Sequence, residues 1–414
     1  MQPLALEGIR IIDLTMIWAG PLATRLLADM GAEVIKIESC TRMDTTRVYY
    51  APKNKTGEDT FNWGGYFHKF NRNKLGITVD MTKPRGREIF KKLVKIADIV
   101  IDNFSPRVMR NFGLDFEALR KIKEDIIVVS MPAFGTTGPY ANCVAWGTNI
   151  EGFSGLSACT GYQGGPPMRT GIAYGDPLSA FAAAFAAMAA LHYREKTGKG
   201  QFIDISQAEV LSSLLGETIM DYVLNQRISE RQGNRHVNMA PHGCYRCKGD
   251  DKWVTIAVSN EEEWKKLCGV MGHPSWAADE KYSTMMRRWQ NQDELDRLIE
   301  EWTVRYDHYE VMRTLQAVGV ACGAVLDISE IINDAQVKAR QFFQNVVHPE
   351  VGEYPFAVNP WRLSRTPSKI RNAAPLLGQH NEYVLGKLLN ISNEEMEKLK
   401  EENIIGTKPS SVNS

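Results

Sequence analysis

The chain has 414 residues, enough for two or more domains with separate cores, and its 49 basic and 49 acidic side chains give a formal net charge of zero. That balance excludes the basic field with which a nucleic-acid binder meets phosphate, so nucleic acid is not expected as a partner. Seven cysteines, an odd number in a large chain, fit reduced thiols rather than a disulfide framework.

In chain order, Met1 to Arg10 has no basic and then apolar leader, so a cytoplasmic location is expected. Ile9-Arg-Ile-Ile-Asp-Leu14 reads as a strand, Pro21 to Met30 as a helix with Gly31 as its stop, and Ala32-Glu-Val-Ile-Lys-Ile-Glu38 as a second strand. Strand, helix and strand within about thirty residues is the size of a βαβ unit with a right-handed crossover. The alternation continues with strands at 76–80, 98–102 and 126–130 and helices at 84–97, 106–112 and 116–123. It predicts an α/β layer architecture, a large Rossmann-like open sheet with ligands at the carboxyl ends of its strands. Asn103, Arg107 and Arg110 follow one such end and are placed to meet an anion, although a solvated surface charge explains each arginine equally simply.

Glycine and proline recur from Pro132 to Pro167, as tight turns or as backbone that approaches a ligand closely. Neither the dinucleotide-binding glycine fingerprint nor a P-loop is present. Gly171-Ile-Ala-Tyr-Gly-Asp-Pro177 then delivers an acid to the start of an Ala-rich apolar run, Leu178 to Leu191. The run is shorter than the roughly 20 apolar residues that a bilayer needs, so it reads as a core helix and no membrane span is expected. Asp176 is the candidate reactive group; an acid at the cap with proline at the first helical position is also an ordinary helix start. A strand at 201–205 and a helix at 206–222 follow, with Glu209 at the fourth position of a capping box. Beyond Arg227 the composition shifts, and residues 226–330 read as a smaller α+β domain with helices at 261–271, 291–303, 308–317 and 328–333. Its Cys244-Tyr-Arg-Cys247 is a lone CxxC and reads as packing residues. Residues 408–414 have nothing evident to pack against.

Several collinear segments together resemble the family III CoA-transferases, the group that includes formyl-CoA and carnitine CoA-transferases and is related to the α-methylacyl-CoA racemases. They are Leu14-Thr-Met-Ile-Trp-Ala-Gly-Pro21, Leu27-Ala-Asp-Met-Gly-Ala-Glu-Val-Ile-Lys-Ile-Glu38, Asn71-Arg-Asn-Lys-Leu-Gly-Ile-Thr-Val-Asp80 and Ala97-Asp-Ile-Val-Ile-Asp-Asn-Phe104. To these add Phe134-Gly-Thr-Thr-Gly-Pro139, Gly171 to Asp176 and Thr197-Gly-Lys-Gly-Gln201. The resemblance implies that Asp176 is a nucleophile that passes through an acyl-aspartyl anhydride and an aspartyl-CoA thioester. CoA thioesters are then substrates, and no permanently bound cofactor is expected. The CoA-contacting segments map onto Trp18 and Ala19, Arg72, Asn73 and Lys74, Asn103 and Phe104, and Arg110. Ser39 stands where formyl-CoA transferases carry a basic residue, and Arg42 is the candidate substitute.

Trp146 occupies the position of the racemase histidine, which argues against proton exchange between two bases. Trp146, Gly147, Thr148 and His242 are the candidate acid-pocket residues, with His236 and Asn238 nearby in the sequence. Trp18, Tyr140 and Phe153 offer apolar walls, though each is also a residue type of packed cores. The loop 232–243 lacks the glycine run of formyl-CoA transferases, so the expected acceptor is a bulky or dicarboxylic acid, such as an aromatic succinate or a carnitine-like acid, with succinyl-CoA as donor. The resemblance further implies an interlocked homodimer. The large domain is built from 1–225 and the return segment 331–414, with 226–330 inserted between. A racemase or isomerase that uses Asp176 as a base, and a subunit of a heteromeric transferase, remain the alternatives.

Overall fold

The protein is described as a computed structural model over residues 4–52 and 60–410. It divides into two compact units: residues 1–157, 169–227 and 341–414, and residues 158–168 and 228–340. The sequence placed the changes at 225/226 and 330/331; the units change at 227/228 and 340/341, and 158–168 belongs with the second.

The short β-branched runs of the first unit form six parallel strands: β1 (Arg10–Asp13), β2 (Glu33–Glu38), β3 (Lys74–Thr78), β4 (Ile99–Asp102), β5 (Ile127–Ser130) and β6 (Phe202–Asp204), in the order β3-β2-β1-β4-β5-β6. β3 starts two residues earlier than its apolar run suggests, because Lys74 and Leu75 pair with Val34 and Ile35. Successive residues point to opposite faces of the sheet, and both faces are covered. Ile12, Ile35, Val100 and Val128 join one buried cluster, while Ile11, Val34, Ile99 and Ile127 join the other.

The helices of this unit are α1 (Ala19–Asp29), α2 (Gly65–Asn71), α3 (Pro84–Ile96), α4 (Arg107–Asn111), α5 (Phe116–Ile122), α6 (Gly147–Phe153), α7 (Leu156–Cys159, which runs past the boundary at 157/158), α8 (Gly175–Thr197), α9 (Gln207–Ser212) and α10 (Gly216–Asn225). α8 departs from the expected core helix. Ser179, Ala180, Ala183, Ala184, Ala187 and Ala190 form a buried stripe of small residues that lets α8 lie close against α1, while Phe181, Phe185 and Met188 face outward. The single helix expected at 206–222 is broken by a 3₁₀ turn over Ser213–Leu215. Ser206 Oγ accepts the Glu209 N–H, which is the forward half of the expected capping box.

The second unit has an antiparallel sheet of β7 (His242–Arg246), β8 (Trp253–Ala257) and β9 (Ala321–Val325). Against it stand α11 (Glu261–Val270), α12 (Met285–Gln290), α13 (Gln292–Thr303) and α14 (His308–Ala317), followed by α15 (Ile328–Asn333) and α16 (Ala335–Ala339). Cys247, Cys268 and Cys322 lie in its core among Tyr245, Leu267 and Ile299. Burial pushes the first two thiols to about 11 and the third to about 12, so they pack as apolar groups.

The chain then returns to the first unit through the hairpin β10 (Phe343–His348) and β11 (Gly352–Ala357), a π-helical turn over Glu382–Leu388, and α17 (Asn393–Glu401). The tail does pack as far as Ser410, whose N–H donates to Cys40 O at 2.9 Å. Residues 411–414 lie outside the described residues.

Buried ion pairs lie under the open sheet. Asp13, at the end of β1, accepts from Thr15 N–H (2.9 Å), the Thr15 hydroxyl, Thr24 Oγ1 (2.7 Å) and Lys74 Nζ (2.8 Å). Burial opposes its charge, yet Lys74 and Lys36 prevail and hold its carboxyl below the usual range. Lys74→Met removes the nearer cation and leaves Asp13 charged and buried. Urea unfolding should register a loss of about 3–5 kcal/mol.

Candidate functional site

The strand order reverses between β1 and β4, which opens a crevice at their carboxyl ends. The two loops that leave there are tied together: Asn103 Oδ1 accepts the Met16 N–H and Asn103 Nδ2 donates to Met16 O, both at 2.9 Å. Ile17 follows in the left-handed region at φ 74°, where a β-branched residue is strained by about 1–3 kcal/mol. Its N–H donates to Asp44 Oδ2 at 3.2 Å, and Lys36 Nζ donates to Thr15 O at 2.7 Å. These contacts fix the entry into α1, so that the N–H of Ala19, its first residue, reaches the carboxylate of Asp176.

Asp176 is the second residue of α8, with Tyr174 at the cap and Pro177 third, rather than at the cap with proline first. Proline is tolerated there because the N–H it lacks has no intrahelical partner. Burial raises the Asp176 carboxyl to about 6, with the Ala19 N–H pulling it down and the charge of Glu151 pushing it up. On the other side stands Gly147, the first residue of α6. A Cβ there would sit 2.1 Å from Asp176 Oδ2 and 2.7 Å from the Ala173 Cβ, so glycine leaves the space that the carboxylate occupies. Trp18 stacks on Phe70 at 5.6 Å and meets Tyr66 edge-on at 5.9 Å. Burial, then the charge of Asp176, lifts the Tyr66 phenol beyond its ordinary range.

The structure thus brings Trp18, Ala19, Asn103, Gly147 and Asp176 to one place. Arg42 and Arg110 are exposed, as is Arg107, and none has a carboxylate partner among the described residues. Arg110 lines a cavity of about 280 Å³ past the ends of β4 and β5, with Asp102, Met109, Phe116, Ser130 and Thr136. Asp102 is pushed by burial to about 7, against its bonds from the Phe104 N–H and Ser130 Oγ. Phe104 packs against the sheet core.

Lys74, Arg72 and Asn73 require correction as phosphate or nucleotide contacts through their side chains. Lys74 is 1 % exposed, and its ammonium donates to Asp13, Asn71 and the Pro21 carbonyl. Arg72 is held by Asp29 at 2.8 Å and by Ala357 O at 2.7 Å. Asn73 donates to Asp29 and Lys369 O and accepts the N–H groups of Arg371 and Asn372. Arg72 and Asn73 hold the return segment, while Lys74 ties β3 to β1 and α1.

Trp146 is 62 % exposed, with Tyr140 and Phe153 at 51 % and 56 %, so none of them is a core aromatic. Thr148 is half-buried one residue after Gly147. His242 begins β7 in the second unit, where its Nδ1 lies 2.6 Å from Asn234 O and its ring 5.4 Å from that of His236. It lines a cavity of about 430 Å³ there with Tyr162, Arg235 and Asp296.

Sequence reasoning missed Asp44, Tyr66 and Glu151. Only Glu151 left a signal, as a lone acid in the otherwise uncharged stretch Ala141 to Met168.

Residues 6–381 match the profile of CoA-transferase family III. The succinyl-CoA–D-citramalate CoA-transferase of Chloroflexus aurantiacus is 34% identical over 411 residues, covering 97% of this chain and 98% of its own. The succinate–glutarate CoA-transferase of Agrobacterium fabrum is 33% identical over 386 residues, covering 93% and 96%. The crystal structure of a CAIB/BAIF family protein from Brucella suis superposes with a TM-score of 0.85 at 32% identity, covering 94% of this chain and all of that one.

The folded chain holds Asp176 at about 6 against 3.8 when unfolded, so its ionisation opposes folding once the pH rises through this interval. Asp176→Asn should therefore be more stable than the wild type at pH 8, by about 2–3 kcal/mol. Denaturant melts should show that gain fading as the pH falls through 6 towards 4.

Proposed function

The chain belongs to CoA-transferase family III, and from that premise we propose that it moves CoA from succinyl-CoA to a dicarboxylic acid through Asp176. The observation that carries the reading is the Asp176 carboxylate, held by burial at about 6, facing a helix N-terminal N–H and given its space by Gly147. The names of the two curated relatives, each joining a succinyl group to a second dicarboxylate, favour that donor and acceptor.

A carboxylate is a weak nucleophile in water, and partial burial strips its hydration while leaving it mostly ionised at neutral pH. In the first step an Asp176 oxygen attacks the thioester carbon, the C–S bond breaks, and CoA leaves as the thiolate, giving an acyl-aspartyl anhydride. The thiolate attacks the aspartyl carbonyl carbon and expels succinate, which leaves an aspartyl-CoA thioester. The acceptor carboxylate attacks the same carbon and frees the thiolate again. The thiolate then attacks the acceptor's acyl carbon and restores the Asp176 carboxylate. No net proton moves. The Ala19 N–H, at the positive end of α1, is placed to stabilise oxyanions that form on the aspartyl carbonyl.

The cavity beside Arg110 and Ser130 suits the adenosine end of CoA, with Arg42, Arg107 and Arg110 as the free cations for its phosphates. The exposed rings of Trp146, Tyr140 and Phe153 offer apolar contact to an acceptor larger than formate.

A homodimer is part of this reading. α10 buries none of its residues within the chain, with Ile219, Met220, Tyr222, Val223 and Leu224 exposed, and α8 turns Phe181, Phe185 and Met188 outward. Light scattering should return the mass of two chains; the mass of one would reject this part.

Succinyl-CoA assayed with a series of dicarboxylates should give activity whose kcat/KM falls as the pH drops through about 6. With an acceptor carrying ¹⁸O in its carboxylate, one labelled oxygen should appear in each released succinate at steady state, because the acceptor's oxygen passes through Asp176. Unlabelled succinate would reject the aspartyl route.

A further inference from the structure

Glu151 is fully buried, a costly place for a charge unless hydrogen bonds compensate it. It lies in α6 four residues after Gly147, so the two share a face of that helix. Gly147 makes room for Asp176, and Glu151 holds the segment that leads into it. Its Oε1 accepts the Tyr174 N–H at 2.8 Å and faces Thr170 Oγ1 at 2.8 Å, while its Oε2 accepts the Thr170 N–H at 3.3 Å. Thr170 Oγ1 also lies 2.5 Å from Ile172 O, which closes the turn. Tyr174 is the cap of α8, two residues before Asp176.

We infer that Glu151 is a positioning residue for CoA transfer: from α6 its carboxylate fixes the segment from Thr170 to Tyr174, and with it the place and the electrostatic surroundings of the Asp176 nucleophile. This rests on the reading of Asp176 as that nucleophile. A misplacement of about 1 Å at a reacting atom costs on the order of 100-fold in rate, which gives a buried tether for this turn its use.

The charge of Glu151 also acts directly, as one of the causes that raise the Asp176 carboxyl. Few other groups can compete with it. α2 contributes the Tyr66 phenol and α1 only the Ala19 N–H, since Arg25 of α1 pairs with Asp29, which also holds Arg72. Glu209 of α9 and Arg169, next to Thr170 in the chain, are exposed.

The test is the single-turnover rate of CoA thiolate release from succinyl-CoA across pH 4–9, with the Asp176 adduct trapped by hydroxylamine to count active sites. Glu151→Gln keeps an oxygen for Tyr174 and Thr170 but loses the charge. Its acid limb should move down by roughly half a pH unit or more, while its plateau falls no more than about tenfold. Glu151→Ala should lose roughly 100-fold at the plateau. Thr170→Val keeps the charge and loses the hydroxyl, so its plateau should fall while its acid limb stays in place. A merely structural role would lower the count of active sites and leave the pH profile per site unchanged, and that result overturns the inference. So does a Thr170→Val enzyme with the wild-type plateau, which decides the matter even where Glu151→Gln does not fold. Failure of the wild type to form any Asp176 adduct would reject the nucleophile reading itself, whereas an adduct with an unmoved Glu151→Gln limb rejects only the tether.

Discussion

The Asp176 carboxylate can occupy its place only because Gly147 has no side chain, and the rest of the site is arranged around that one allowance. A methyl group at residue 147 would meet both the carboxylate and Ala173. With the space open, α6 and α1 approach α8 from two sides. One brings Glu151 and the other the Ala19 N–H. The carboxyl is thereby kept from water, but not so far that it loses its charge near neutrality.

The parallel sheet makes this possible at a distance. Its switch point puts the loops after β1 and β4 side by side, and Asn103 locks them by using both atoms of its amide on Met16. Asp44 and Lys36 hold the strained Ile17 turn in place. Beneath, Asp13 with Lys74 and Asp29 with Arg72 tie strand ends, α1 and the return segment into one rigid base. Groups that look like ligand contacts in the sequence thus serve as the frame, whereas Arg42, Arg107 and Arg110 have no carboxylate partner among the described residues.

Much of the fold was legible because its signals are local. β-branched runs, helical spacing and glycine stops place the six strands of the parallel sheet to within two residues and reveal the open sheet, whereas the hairpin of β10 and β11 was not read. Asp176 stood out as a candidate as well, through the glycines and proline that flank it. Burial was not. Lys74 and Arg110 are equally basic in the sequence, and only tertiary packing sends one into a fully satisfied internal pair and leaves the other at a cavity mouth. α8 misled for a related reason: an alanine-rich run reads as buried on every side, yet alanine pays little for exposure, and only one stripe faces α1. Glu151 and Tyr66 were missed because each reaches Asp176 from a separate segment, with no fixed spacing to announce it.

The central claim is that Asp176 becomes acylated, and peptide mass spectrometry after incubation with succinyl-CoA and a hydroxylamine quench tests it most directly. A hydroxamate is expected on the peptide that contains Asp176 and none in Asp176→Asn. An unmodified Asp176 peptide from enzyme that is turning over the same donor would contradict it.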